Sequence, residues 1–153
     1  ALSKTFNPVY GYKELEAIFG DRRPESAKEL EEAVRAVRAR KLPDPKVLPN
    51  AGSFFKNPVV TRTKMLHLLE ETPSLVSYPL GGARAKIAAG WLIEACGLKG
   101  KRMGQAGVYE RQALILVNYG GATGAEIKAL AEEVARNVKY RFGVELEPEP
   151  VIL

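Results

Sequence analysis

Asn50-Ala51-Gly52-Ser53-Phe54-Phe55-Lys56-Asn57-Pro58 is the most unusual stretch of the chain, because a turn becomes a strand within it. Gly52 permits the unusual backbone dihedrals of a turn, and the paired aromatic residues that follow favour a β-sheet. A serine between a small residue and two aromatic residues is able to present its hydroxyl group in a pocket. The simpler interpretation is a turn serine followed by two aromatic core residues. The pattern alone leaves both interpretations open.

Two helices are predicted before this stretch. A short helix over 12–19 ends at Gly20, and a second helix runs from Ser26 to about residue 40. Ser26-Ala27-Lys28-Glu29 has the spacing of a capping box, in which the serine oxygen and the glutamate carboxylate each satisfy a free backbone N–H. Pro43 and Pro45 end the helix, since neither donates a backbone hydrogen bond. Its predicted buried stripe comprises Leu30, Ala33, Val34 and Val37.

After this stretch the sequence predicts a mixture of helices and strands. A helix over 64–71 is followed by an irregular stretch over 73–82 and by a helix over 86–96 that ends at Gly97. Strands are predicted over 105–109 and 113–118. A second capping box, Thr123-Gly124-Ala125-Glu126, begins the longest helix, and residues 142–146 form a closing strand. The residues of the longest helix that are predicted to face the core are Ile127, Leu130, Ala131, Val134 and Val138.

These elements predict an α+β fold with a mostly antiparallel sheet packed against several helices. Helices and strands mix without the regular βαβ alternation that a parallel sheet requires. A chain of 153 residues is long enough for one domain with a hydrophobic core. We expect this domain to comprise residues 26–153, with residues 1–25 as an appendage.

The composition limits the classes of function. Cys96 is the only cysteine, which excludes an internal disulfide and indicates a reducing compartment. No apolar run approaches the ~20 residues of a membrane span, and the first residues show no apolar signal core. The 23 Lys and Arg residues exceed the 18 Asp and Glu residues, and the net charge of +5 favours an anionic partner. Because both signs are interleaved, an ordinary solvated surface fits equally well.

Most common chemical motifs are missing from the sequence. His67 is the only histidine, and on a predicted helix a structural role is more common than metal ligation. No GxGxxG or GxxxxGK[ST] motif occurs, so the chain contains no self-sufficient nucleotide fold of either kind. A nucleic-acid site needs basic residues and stacking aromatic residues on one face, and glutamates dilute the local basic cluster. That cluster comprises Arg35, Arg38, Arg40 and Lys41.

The tail Leu146-Glu147-Pro148-Glu149-Pro150 places two carboxylates between prolines, and by itself it indicates an exposed acidic tail. Together with the 50–58 stretch, however, it resembles the C-terminal part of the UDP-N-acetylenolpyruvoylglucosamine reductases (UDP-N-acetylmuramate dehydrogenases). These flavoenzymes complete UDP-N-acetylmuramate in bacterial peptidoglycan synthesis. The other matching segments, in the family's order, are Ala1-Leu2-Ser3-Lys4, Lys41-Leu42-Pro43-Asp44-Pro45, Ala88-Ala89-Gly90-Trp91-Leu92-Ile93 and residues 112–118.

The resemblance implies an activity and a set of site residues. In the family, NADPH reduces FAD, and hydride then passes to the enolpyruvyl group of UDP-N-acetylglucosamine enolpyruvate. By resemblance, Ser53 is the proton donor, and Glu149 is a catalytic glutamate that acts with an arginine on the substrate carboxylate. Tyr78 and Lys86 correspond to a loop tyrosine and a following lysine that close over the UDP portion in the longer family type. The other residues that match substrate-binding positions are Tyr12, Lys41, Asn57 and Gln112.

Two departures from the family pattern affect these expectations. The tail continues Glu149-Pro150-Val151 where many relatives have valine and arginine after the glutamate. The sequence also lacks the family's N-terminal half, which carries the flavin-binding domain and the catalytic arginine. We therefore expect residues 1–25 to be a remnant of the flavin-binding region, and the isolated chain to bind neither FAD nor NADPH and to be inactive.

The expected partners are UDP-N-acetylglucosamine enolpyruvate and the flavin-binding half, in the cytoplasm of a bacterium, with no nucleic acid and no membrane. Two other classes stay open. A non-catalytic module on the same fold would bind an anionic nucleotide or another protein, and it would not need Ser53 and Glu149. A nucleic-acid-binding protein would show an affinity that falls steeply with salt.

Overall fold

The computed structural model describes residues 5–152, so the Ala1-Leu2-Ser3-Lys4 segment of the resemblance lies outside the described residues. The chain divides into two compact units, Ala1–Pro43 and Asp44–Leu153. The division falls just after the second helix, at the first of the prolines predicted to end it. The assignment of residues 1–25 to a flavin-binding region stays a prediction.

The first unit contains the two predicted helices, α1 (Lys13–Phe19) and α2 (Ala27–Lys41). Leu15 and Phe19 of α1 are buried, whereas α2 has no buried residue. The prediction of a buried stripe on α2 is wrong, because the two-turn α1 is the only other helix or strand described in this unit. The four residues of that stripe, Leu30, Ala33, Val34 and Val37, are half-buried.

The start of α2 realises half of its predicted capping box. Ser26 Oγ accepts a hydrogen bond from the Glu29 N–H at 3.1 Å. The Glu29 carboxylate instead accepts the N–H of Glu25 at 2.6 Å and a guanidinium N–H of Arg22, also at 2.6 Å. The Glu29 carboxylate thus satisfies a backbone N–H as predicted, but it is that of Glu25 and not that of the N-cap Ser26, so the capping box is incomplete.

The second unit contains two antiparallel sheets and three helices, which confirms the predicted α+β class. The four-stranded sheet has the order β1-β7-β6-β5, with β1 (Asn50–Ser53), β5 (Arg102–Met103), β6 (Ala106–Val108) and β7 (Ile115–Asn118). The three-stranded sheet has the order β2-β4-β3, with β2 (Val59–Thr61), β3 (Ser77–Leu80) and β4 (Arg84–Ile87). The helices are α3 (Arg62–Glu71), α4 (Ala89–Ala95) and α5 (Gly124–Phe142).

Helix α5 covers the four-stranded sheet, where it contacts β6 and β7. Its predicted capping box is complete: the Glu126 N–H donates to Thr123 Oγ1 at 3.3 Å, and the Thr123 N–H donates to the Glu126 carboxylate at 2.7 Å. The predicted core residues Leu130, Ala131, Val134 and Val138 are buried, and Ile127 is half-buried against the core.

The prediction for residues 73–96 is wrong in two places. The stretch predicted to be irregular contains β3, and the helix predicted over 86–96 begins at Ala89, because β4 includes Lys86. β3 and β4 form a hairpin that Leu80 and Arg84 close. Pro79 obscured the strand in the sequence, but β3 lies at the sheet edge, where a proline is tolerated because no further strand needs the backbone N–H that proline lacks.

The predicted closing strand over 142–146 is also wrong. Helix α5 continues through Phe142 and ends at Gly143, whose φ of +59° lies in the left-handed region. Val144 and Leu146 are buried. The alternation of apolar residues therefore reflects the burial of an extended segment and not pairing in a sheet.

Candidate functional site

The position of Ser53 is set by a bulge in β1. Asn50 is opposite Val117 in β7, and Ser53 is opposite Ile115, so β1 has one residue more than its partner between these pairs. Gly52 has a φ of +74°, a conformation that favours glycine. The Gly52 N–H donates to Asn50 Oδ1 at 3.0 Å, which stabilises the irregular backbone. Ser53 therefore lies at the end of an edge strand, and its side chain is exposed.

The C-terminal tail is attached beside Ser53 by backbone hydrogen bonds. The Glu149 N–H donates to the Phe54 carbonyl at 2.9 Å, and the Lys56 N–H donates to the Glu147 carbonyl at 2.9 Å. Phe55 and Pro148 form an antiparallel bridge between these two bonds. The backbone pairing thus places Glu149 opposite the residue that follows Ser53.

The two carboxylates of the tail have different surroundings. Glu147 forms an ion pair with Lys56. The Glu149 carboxylate has no ion-pair or hydrogen-bond partner among residues 5–152, and neither has the Ser53 hydroxyl within the same range. Both side chains are exposed. The fold therefore uses one carboxylate for an internal contact and leaves the other, with the serine, available to a ligand.

Gln112 lies on the other side of the Ser53 segment, in the turn that precedes β7. Its Oε1 is 3.4 Å from the Leu114 nitrogen, and the Leu114 carbonyl accepts the Phe54 N–H at 2.8 Å. A Cβ added at Gly90 would lie 3.2 Å from the same Oε1, so helix α4 approaches this amide closely because Gly90 has no side chain. Three backbone segments therefore lie side by side, joined by hydrogen bonds, and they carry Gln112, Ser53 and Glu149.

Asn57 has a structural contact in addition to the binding role that the resemblance implies. Its Oδ1 accepts the N–H of Ala89, the first residue of α4, at 2.9 Å. The N-cap residue of that helix, Ala88, has no side chain that could do this. Asn57 therefore caps α4 from 32 residues away, and this contact uses the oxygen of its side-chain amide but not the nitrogen.

Tyr78 and Lys86 are directly opposite each other in β3 and β4, and Val59 of β2 lies opposite Lys86 on its other side. Opposite residues in an antiparallel pair have side chains on the same face. Tyr78 is about half exposed, at 51%. The structure thus brings the predicted tyrosine and lysine together, on a hairpin and not on an irregular loop.

Tyr12 and Lys41 belong to the Ala1–Pro43 unit. Lys41 forms an ion pair with Glu14. The hydrogen bond from Lys41 lowers the pKa of Glu14 below its usual value. Both predicted residues line a cavity of about 400 Å³ whose other walls are mostly aliphatic. Tyr12 is exposed, and its backbone begins α1.

The described residues show no sign of a metal centre or a reactive thiol. No group of three His, Cys, Asp or Glu side chains in the described part of the chain is placed to hold a metal ion. His67 is exposed, 3.4 Å from Glu71 on the same helix. Burial raises the pKa of the Cys96 thiol, which favours the unreactive protonated form. No helix within residues 5–152 is both long and apolar enough to cross a membrane.

The fold and the site define an α+β domain in which a bulged edge strand and the chain's tail present a serine and a free carboxylate. Residues 44–153 match the sequence model of the C-terminal domain of UDP-N-acetylenolpyruvoylglucosamine reductase. The chain therefore belongs to the UDP-N-acetylenolpyruvoylglucosamine reductase family, as the resemblance predicted.

Individual relatives agree with this membership. The UDP-N-acetylenolpyruvoylglucosamine reductase of Paraburkholderia xenovorans is 53% identical over 156 residues, which cover 99% of this chain and 45% of the relative. The protein of the same name from Chromobacterium violaceum is 59% identical over 125 residues, covering 82% of this chain and 37% of the relative. The chain thus spans less than half the length of these relatives. The crystal structure of the Thermus caldophilus reductase is 29% identical and superposes with a TM-score of 0.44, over 84% of this chain and 36% of that one.

Proposed function

We propose that this chain provides the substrate-binding part of a flavin- and NADPH-dependent reductase that converts UDP-N-acetylglucosamine enolpyruvate to UDP-N-acetylmuramate. The observation that carries the proposal is the attachment of the tail beside β1, which leaves Ser53 and Glu149 without side-chain partners among residues 5–152 in a chain of this family. A module that only binds a ligand has no need for this pair. The proposed location is the bacterial cytoplasm.

In the proposed reaction, Ser53 gives a proton to the substrate. The flavin, when bound, supplies the hydride, which adds to the enolpyruvyl carbon that is β to the carboxylate. The negative charge then spreads over the carboxylate and the α-carbon, and the Ser53 hydroxyl donates its proton to that carbon. A serine hydroxyl is a weak acid, so it needs polar surroundings that stabilise the alkoxide formed.

Glu149 acts on the substrate carboxylate in the proposed reaction. A protonated carboxyl group would donate a hydrogen bond to the developing dianion, whereas an ionised one would repel it. Glu149 has no internal cation beside it among the residues that the structure describes, so its carboxyl group is available to the substrate, whereas Glu147 is paired with Lys56.

The remaining matched residues bind the sugar nucleotide in this proposal. Tyr78 and Lys86 contact the UDP portion from the three-stranded sheet, and Gln112 contributes an amide beside Ser53. Asn57 has an amide nitrogen left for the ligand after capping α4. Tyr12 and Lys41, which belong to the first unit, are proposed substrate-binding residues as well.

The cavities beside the candidate site do not suit the diphosphate of a flavin. FAD carries a diphosphate that needs cations or a glycine-rich loop of free N–H groups. The cavities beside Phe54, of about 570 and 200 Å³, are mostly apolar, and Lys128 is the only cation that lines them. We propose that the flavin is held by a flavin-binding half outside this sequence, that residues 1–25 come from that region, and that the chain alone is inactive.

A chimera tests the proposal. This chain replaces the matching part of the Paraburkholderia xenovorans relative, and substrate-dependent oxidation of NADPH is measured. Ser53→Ala is expected to lower kcat by roughly 10²–10⁴-fold with little change in KM, because proton donation occurs only in the transition state. Ser74→Ala, a change of an exposed turn serine, is the matched control and is expected to keep the activity.

The two tail carboxylates give a second matched pair in the same chimera. Glu149→Gln is expected to reduce kcat, whereas Glu147→Gln, which only breaks the exposed ion pair with Lys56, is expected to change it little. Flavin absorbance confirms that each variant is assembled. A Ser53→Ala chimera that turns over at the rate of the unsubstituted one would refute the assigned role.

A further inference from the structure

The outer face of the three-stranded sheet is cationic. Side chains alternate between the two faces of a strand, and Ala85 and Ile87 of β4 are buried in the core. Arg84 and Lys86 therefore share the opposite, solvent-facing side of β4. The strand register adds their neighbours on that side, and we call this set the cationic face: Val59, Thr61, Tyr78, Leu80, Arg84 and Lys86.

The charges of the cationic face are not neutralised within the described chain. None of its three strands contains an acidic residue. Arg84 and Lys86 form no ion pair and no side-chain hydrogen bond with any of residues 5–152. Some lysines elsewhere on the surface have acidic partners, as in Lys99 with Glu94 and Lys139 with Glu145. Two cations side by side on one strand without a counterion favour an anionic ligand.

We infer that Arg84 is a further substrate-binding residue, which binds one phosphate of the nucleotide's diphosphate while Lys86 binds the other. This inference rests on the proposed function, in which Tyr78 and Lys86 contact the UDP portion. Arg84 is not among the residues that the resemblance identifies. The alternation of Arg84 and Lys86 becomes visible only when residues 77–87 are recognised as a hairpin and not as an irregular stretch.

The spacing and chemistry of the two cations suit a diphosphate. Residues two apart on a strand are separated by roughly 6.6 Å, and both side chains are long enough to converge on adjoining phosphates. A guanidinium group donates two parallel hydrogen bonds to one phosphate, whereas an ammonium group acts as a point charge.

The neighbours of the two cations give the diphosphate a direction. Tyr78 lies opposite Lys86, and Leu80 lies opposite Arg84, nearer the hairpin turn. An aromatic ring beside Lys86 places the uracil at that end by stacking, so the phosphate on the far side from the base reaches Arg84. Arg84 therefore discriminates between a nucleoside diphosphate and a monophosphate.

Calorimetric titrations of the chain with UDP, UMP and inorganic pyrophosphate test this inference. Arg84→Ala is expected to weaken UDP binding by about tenfold and to leave UMP binding within about twofold, because one charge-assisted contact is lost. Arg84→Lys is expected to recover part of the loss. Arg136→Ala removes the same charge from the exposed surface of α5 and is expected to change neither affinity. Thermal unfolding verifies that each variant is folded.

The outcomes separate this inference from the proposed function. If the chain binds UDP and Tyr78→Ala weakens that binding while Arg84→Ala does not, the inference is refuted and the proposed function stands. If Arg84→Ala weakens UDP and UMP equally, the assignment to the far phosphate is refuted. The same titrations are made on the chimera, and if neither protein binds UDP, the nucleotide site itself is refuted. Competition by pyrophosphate alone, unaffected by Tyr78→Ala, would show an anion site without a nucleotide.

Discussion

The two sheets of the Asp44–Leu153 unit differ in what their faces contact. In the four-stranded sheet, all three residues of β6 are buried, as are Ile115, Leu116 and Val117 of β7, so both faces of these strands are covered. In the three-stranded sheet, β4 buries Ala85 and Ile87 on one face only. The first sheet holds the edge strand that carries Ser53, and the second exposes charged side chains. We therefore expect substitutions in the first to change stability and substitutions on the cationic face to change binding.

The largest difference in stability is expected when the same substitution, valine to alanine, is made in each of the two sheets. Val117→Ala removes two methyl groups from a fully buried site in β7, and we expect it to lower the free energy of unfolding by about 2–3 kcal/mol through lost burial and the cavity left behind. Val59→Ala, at a site that is 50% exposed in β2, is expected to cost less than about 0.5 kcal/mol. Urea unfolding measures both. Equal costs would show that the three-stranded sheet is packed on both faces.

The second-largest loss of stability is expected from a substitution of a glycine in the four-stranded sheet. A Cβ added at Gly107 would lie 2.6 Å from the ring of Tyr119 and 3.3 Å from the Lys101 carbonyl oxygen. The ring is held by the Arg102 guanidinium, 3.5 Å from its centroid, so we expect Gly107→Ala to cost about 1–2 kcal/mol by overpacking.

Gly124→Ala is the matched control for this substitution, because no atom lies within 4 Å of the added Cβ at the start of α5. It is expected to be neutral within about 0.5 kcal/mol, since alanine favours a helix. The same urea experiment applies. A neutral Gly107→Ala would show that Tyr119 moves away freely and that this sheet tolerates added volume.

The helices were predictable from the sequence where several local signals agree. For α5 the apolar period and the Thr123–Glu126 capping box indicate the same element and its start matches, whereas its last residue, Phe142, was predicted to begin a strand. The β3–β4 hairpin was not predictable in the same way, because its strands have four residues each and one contains Pro79. Only the sheet pairing, a non-local property, shows that Pro79 is at an edge where it does no harm.

The candidate site was predictable as a set of residues but not as an arrangement. The resemblance supplies Ser53 and Glu149, and no spacing in the sequence indicates that the tail pairs with residues 54–56. The contact that distinguishes the two tail carboxylates, Lys56 with Glu147, joins residues 91 apart. Such contacts depend on the whole fold, so local patterns in the sequence do not predict them.

The smallest effect concerns the helix caps beside the two sheets. Thr123 caps α5 with Glu126 as its partner, whereas Thr61 caps α3 with Lys64 at the same position and has no carboxylate to titrate. The Thr123 backbone N–H, and then its hydroxyl, lower the pKa of Glu126 below 4.5. Because the folded state prefers the ionised form of Glu126, the capping carboxylate stabilises the fold. This stabilisation is fully present above pH 4.5 and is lost as the pH falls through the lowered pKa.

The measurement that follows is the urea midpoint at a series of pH values from about 6 down to 3, for the unsubstituted chain and for Glu126→Gln. We expect the substitution to destabilise most at the upper end and the difference to shrink below pH 4.5, since protonation removes the charge that glutamine lacks. Thr61→Ala is expected to cost about 1 kcal/mol at every pH, because that cap involves no titrating group. A difference between Glu126→Gln and the unsubstituted chain that stays constant over this range would mean that the two caps are equivalent and that the ionised carboxylate adds nothing at α5.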